Sequence, residues 1–119
     1  MIRILIADPD SATRKALILL LHRKLGTDGI IEVKDVETLI RSLADTPPDL
    51  LLLDRRLYGS PPTETCRLLR KAYPHLKIVL LSVDANDSTA AKEAGADFIH
   101  KGASPDELIA TLTPLLRKE

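Results

Sequence analysis

Tryptophan is absent and aromatic residues make up only 3% of the chain, so the stacking surfaces expected around a flavin ring or a run of unpaired bases are missing. Cysteine occurs once, at Cys66, which excludes an intrachain disulfide; the residue reads as a small buried apolar side chain and suits a reducing compartment. Neither sign of charge is in excess, with 17 Lys and Arg against 17 Asp and Glu, so no net field draws the molecule to nucleic acid or to an anionic membrane. Any partner has to be recognised by a local site. Uninterrupted apolar runs stop at about five residues, far short of a bilayer span or a signal core. A cytoplasmic location is the expectation.

What is present is a repeat of form. Five short apolar runs, Ile2 to Ala7, Ile30 to Val33, Leu50 to Leu53, Ile78 to Leu81 and Asp97 to His100, read as strands buried on both faces. Between them fall helical stretches at about 11–25, 36–45, 62–72, 85–94 and 104–116, with Gly or Pro near most junctions. Strands joined through helices need right-handed crossovers, which makes the sheet parallel with helices on both faces. A closed eight-unit barrel needs about twice this length. The expectation is therefore one α/β domain over residues 1–119, an open doubly wound parallel sheet.

Local signals refine the helices. Ser104, Pro105, Asp106 and Glu107 form an N-cap, a first-turn proline and a capping-box acid, while Pro114 predicts a kink or an early stop. The 85–94 segment offers the sheet only alanines, which predicts the loosest helix. Leu17, Ile18, Leu19, Leu20 and Leu21 go fully round the helix axis. Either a neighbouring helix covers those that face away from the sheet, or they form a self-association patch that makes a homodimer.

In such a sheet the site lies beyond the carboxyl ends of the strands. Strand one ends at Asp8, strand three at Asp54, strand four at Ser82 and strand five at Lys101. If strands one and three are neighbours, Asp8 and Asp54 stand about 5 Å apart, close enough to share a divalent cation, and Lys101 can reach back from about 10 Å away. A carboxylate can attack a phosphoryl group when a metal shields the repulsion and a hydroxyl and an ammonium neutralise the remaining oxygens. Asp54 is the central candidate for that nucleophile.

These residues carry a resemblance. Through "ILIAD" with Asp8, "PDLLLLDRRLYG" with Asp54, "KIVLLS" with Ser82 and "ADFIHKGASPDEL" with Lys101, the chain resembles the receiver domain of two-component response regulators over essentially its full length. The resemblance implies a flavodoxin-like (βα)5 fold with strand order 2-1-3-4-5. It implies that Asp54 takes a phosphoryl group from the phosphohistidine of a histidine kinase or histidine phosphotransfer protein. Asp8, Asp54 and the backbone carbonyl of Arg56 would hold Mg²⁺, Ser82 and Lys101 would bind the phosphoryl oxygens, and Phe98 would swing with phosphorylation. The signalling surface would be formed by helix four, strand five and helix five.

Two positions depart from the family pattern. Pro9 stands where a second acid usually ligates Mg²⁺, which predicts a weaker metal site, and Gly102 replaces a common proline. Asp10, just before "SATRKAL", is better placed to cap helix one than to replace the lost ligand. Arg56 and Asp84 occupy the variable positions flanking the phosphoryl site, and an ion pair between them across the site mouth is expected to gate water. Such a domain is not an enzyme in the ordinary sense. With no effector domain, linker or basic patch in sight, output is expected from a partner or from a longer chain.

Two other readings fit parts of the pattern. A receiver-like interaction or dimerisation module, in which Pro9 has removed phosphorylation, would keep the same fold. A haloacid-dehalogenase-type phosphatase would use Asp8 as nucleophile and Asp10 as general acid, but it leaves Asp54 unexplained and lacks paired acids after a later strand.

Overall fold

The computed structural model describes residues 2–57 and 62–116, so Tyr58 and Gly59 of the Asp54 motif lie outside the described residues. Five parallel strands form one sheet in the order β2-β1-β3-β4-β5: β1 (Ile4–Ala7), β2 (Ile30–Val33), β3 (Leu50–Asp54), β4 (Lys77–Ser82) and β5 (Asp97–His100). The helices between them are α1 (Ser11–Leu25), α2 (Val36–Asp45), α3 (Pro62–Ala72), α4 (Asp87–Glu93) and α5 (Pro105–Leu115). This is the doubly wound parallel sheet expected from the alternation of apolar runs and helical stretches, in the flavodoxin-like strand order that the family resemblance implies.

Side-chain alternation along each strand splits the core in two. Ile4, Ile6, Leu50, Leu52, Val79, Leu81 and Ile99 face α1 and α5, where they meet Leu17, Leu21, Leu108 and Leu112. Leu5, Ala7, Leu51, Leu53, Ile78 and Leu80 face α2, α3 and α4, meeting Leu39, Leu43, Cys66, Leu69 and Ala91. On α1, Leu17 and Leu21 are buried, and Ile18 and Leu20 pack partly against the shared α1–α5 core. The neighbouring helix therefore covers most of the leucine-rich turn, leaving Leu19 at 55% exposure.

The caps follow the sequence signals. Asp10 accepts from the Ala12 amide at 3.0 Å and from the Thr13 hydroxyl at 3.0 Å, and Ser104 accepts from the Glu107 amide at 3.2 Å. Helix α1 ends at Gly26, whose φ of 64° is open to glycine at low cost. Helix α5 stops one residue beyond Pro114, consistent with the backbone donor that proline lacks. Helix α4 is shorter than its alanine pattern predicts, seven residues, and buries only Asp87 and Ala91. No helix among the described residues is long and apolar enough to cross a membrane.

Cys66 is fully buried on α3, and burial pushes its thiol up to about 11. A thiol reagent at about pH 8 is therefore expected to leave the native chain unmodified and to react fully once urea has unfolded it. Rapid modification of the native protein would mean that α3 opens readily.

Candidate functional site

The carboxyl ends of β3, β4 and β5 and the start of α1 converge on a cavity of about 480 Å³ whose walls include Asp10, Asp54, Arg56, Ser82, Asp84 and Lys101. Backbone ladders place the key groups. The Asp8 amide donates to the Val33 carbonyl at 3.1 Å, carrying the β1–β2 ladder one residue past the strand, and the Lys101 amide donates to the Ser82 carbonyl at 2.8 Å, doing the same for β4 and β5. Asp54 closes β3 opposite Leu81. With Ala7 and Leu53 in register, Asp8 and Asp54 stand side by side at the ends of adjacent strands.

Both acids are 1% exposed, a costly location for charge unless it is compensated. Lys101 compensates both. Its Nζ lies 3.1 Å from Asp8 Oδ2 and in direct contact with Asp54 Oδ2. That Asp54 oxygen is buried, and among the described residues the Lys101 ammonium contact is what compensates its charge. The other oxygen, Oδ1, accepts from the Arg56 amide at 2.7 Å and from Arg56 Nε at 3.1 Å. Burial alone would raise the Asp54 pKa, but the Lys101 ammonium and the two Arg56 donors outweigh it and hold the carboxyl below its ordinary value.

The expected gate between Arg56 and Asp84 is not what forms. Arg56 turns inward, to Asp54 and to Asp8 Oδ1 at 3.5 Å. Asp84 instead accepts from the Asn86 amide at 2.9 Å, closing its own turn. The physical reason is that two buried carboxylates beside the guanidinium offer far more than one exposed, solvent-screened carboxylate.

Ser82 stands at the site, but its hydroxyl is committed. It donates to Asp87 Oδ2 at 2.6 Å and accepts from the Asp84 amide at 3.0 Å. Asp87, at the start of α4 and 9% exposed, also pairs with Arg55 Nε at 2.8 Å. Arg55 and Asp87 were missed in the sequence. The one available signal was an acid five positions after Ser82, too weak without the path of the loop between them. Arg14 was also missed: its Nη1 donates to the Asp8 carbonyl at 2.7 Å while its Nε pairs with Glu32 at 2.7 Å, clamping the end of β1. Phe98 is partly buried against the α2–α4 side of the core.

For a cation, Asp8, Asp54 and the Arg56 carbonyl are hard oxygen donors of the kind that suits Mg²⁺, with water completing the shell. Pro9 adds nothing to that set. Among the described residues no group of three His, Cys, Asp or Glu side chains converges on one metal position. The donor set fits Mg²⁺ in chemistry and is sparse in number.

The sequence matches the family model of the response regulator receiver domain over residues 4–113, and the chain belongs to that family. Among curated proteins it is 31% identical to the response regulator MprA of Mycobacterium sp. (strain KMS), over 98% of this chain and 51% of that protein. The transcriptional regulatory protein ResD of Bacillus subtilis is 29% identical, over 98% of this chain and 48% of its own length. The chain thus spans about half the length of these curated relatives. A two-component response regulator of the LuxR family from Aurantimonas sp. SI85-9A1 superposes with a TM-score of 0.81 at 25% identity, covering 96% of this chain and 84% of that one.

Proposed function

We propose that this chain is a phosphoacceptor receiver, in which Asp54 takes a phosphoryl group from the phosphohistidine of a histidine kinase or histidine phosphotransfer protein. One observation carries the reading: Asp54 lies at the end of the central strand, 1% exposed, with one oxygen in contact with the Lys101 ammonium and the cavity before it. An Asp54 oxygen attacks phosphorus as the bond to the donor breaks, and the donor leaves with the electron pair of that bond. Lys101 neutralises one phosphoryl oxygen. Ser82 hydrogen-bonds a second once its hydroxyl turns away from Asp87, whose charge stays paired with Arg55.

Asp8, Asp54 and the Arg56 carbonyl would hold Mg²⁺, which when bound supplies the positive charge that lets two anions approach. Phosphorylation then adds charge and acceptor oxygens at Asp54, and drawing Ser82 off Asp87 frees the start of α4. That supports a signalling surface on α4, β5 and α5, with Phe98 responding beneath it. Turnover is limited to self-phosphorylation and slow hydrolysis, and output lies with a partner protein or an effector domain.

The test is incubation with Mg²⁺ and acetyl phosphate, followed by mass-spectrometric location of the added group. Label on Asp54 that disappears in Asp54→Asn and forms far more slowly in Asp8→Asn is the expected result. Label on Asp8 with continuous turnover would support the phosphatase reading. No label at all would support the phosphorylation-independent interaction module that Pro9 raises.

A further inference from the structure

We propose that the Arg56 guanidinium is a resident counter-cation of the acidic pocket which a divalent cation must displace, so that Arg56 sets how tightly Mg²⁺ binds. The inference rests on the reading above only in taking Asp8 and Asp54 as the cation ligands.

Every oxygen of the two buried carboxylates, Asp8 and Asp54, already faces a donor or a cation. Asp8 Oδ1 accepts from the Asp10 amide at 2.8 Å and lies 3.5 Å from Arg56 Nη2, while its Oδ2 lies 3.1 Å from the Lys101 ammonium. Asp54 Oδ1 takes two donors from Arg56, and its Oδ2 takes Lys101. Two carboxylates are thereby balanced by two cations, and Pro9 contributes no third acid. Asp10 and Asp84 also line the cavity but are exposed to solvent, so the two buried acids that would hold a strongly hydrated ion are the ones whose charge is already met.

One of the two cations therefore has to yield, and burial decides which. The Lys101 side chain is 17% exposed and touches both acids, whereas the Arg56 side chain is 57% exposed and has solvent to turn into. Its backbone amide can keep its bond to Asp54 while the guanidinium leaves, so displacement costs one ion-pair arrangement and no refolding. Deprotonation offers no alternative, because a guanidinium stays charged in a protein. The neighbouring Arg55 carries the same charge but pairs with Asp87, which makes it an internal control for general electrostatics.

The experiment is a calorimetric titration of MgCl₂ into the wild type, Arg56→Gln and Arg55→Gln, with melting curves in EDTA and in saturating Mg²⁺. Arg56→Gln is expected to bind Mg²⁺ about tenfold more tightly than the wild type, and Arg55→Gln within about twofold of it. In EDTA, Arg56→Gln should melt below the wild type, and Mg²⁺ should raise its melting temperature by more. In wild-type protein the Arg56 Nε–H resonance should shift as Mg²⁺ saturates the site, a reading that needs no variant. Equal affinity in wild type and Arg56→Gln, equal tightening in both variants, or an Nε–H resonance that ignores Mg²⁺ would each overturn the proposal. Phosphoryl labelling separates the two claims. Asp54 labelled with Mg²⁺ affinity indifferent to Arg56 sinks only this proposal, and tighter Mg²⁺ binding in Arg56→Gln without any label sinks only the phosphoacceptor reading.

Discussion

Lys101→Ala is expected to lower unfolding stability in EDTA by about 3 kcal/mol, the scale on which a buried ion pair fails when one partner is removed. Two carboxylates, each 1% exposed, would lose the ammonium between them, and among the described residues Asp54 Oδ2 would be left with no compensating contact. Arg56 would keep part of the balance, since it reaches both acids from the other side. The loss should therefore be largely recovered in Lys101→Ala with Asp54→Asn, which removes the charge that lost its partner. A double-mutant cycle from urea titrations measures that coupling. Additive effects would mean that Lys101 and Asp54 do not share one electrostatic unit. Mg²⁺ should restore part of the single variant's stability by binding only the folded state, and phosphoryl acceptance should remain impaired.

Leu52→Ala is expected to cost about 3–4 kcal/mol, a large share of the roughly 5–15 kcal/mol that holds a domain together. Leu52 is fully buried in the central strand, between Ile6 of β1 and Val79 of β4 in register. Its side chain belongs to the core shared with α1 and α5. Neighbours on three elements hold the cavity open, so little of the loss can be recovered by collapse. The urea midpoint should fall with the slope of the transition unchanged. A loss under about 1 kcal/mol would show that the α1–α5 face repacks freely. Although Leu52 is only two residues from Asp54, it belongs to the α1–α5 core and does not line the cavity, so the same variant should slow phosphoryl acceptance only in proportion to the unfolded fraction.

How far the site could be read from the chain differs residue by residue. Asp8, Asp54, Ser82 and Lys101 were visible because each ends an apolar run, and a parallel sheet brings the carboxyl ends of its strands to one side. Asp10 was separable from Asp8 because a helix pattern begins at the next residue, and the cap it forms there is local. The Arg56 side chain was misplaced. Its position in sequence put it at the mouth beside Asp84, and nothing in the sequence ranked that partner below the two buried acids. Asp87 and Arg55 went unseen because their pairing depends on how the chain turns between β4 and α4.

Residue order alone dictates the alternation of five strands and five helices, the two-sided core, the capping residues and the set of strand-end groups. All of these follow from short-range periodicity and local hydrogen bonding. Which polar group meets which is settled by the folded arrangement: Arg56 on Asp54 and Asp8, Ser82 on Asp87, Arg55 on Asp87. Long flexible side chains choose among partners by three-dimensional distance and burial, and the cost of leaving a carboxylate uncompensated in the interior exists only once the strands have come together.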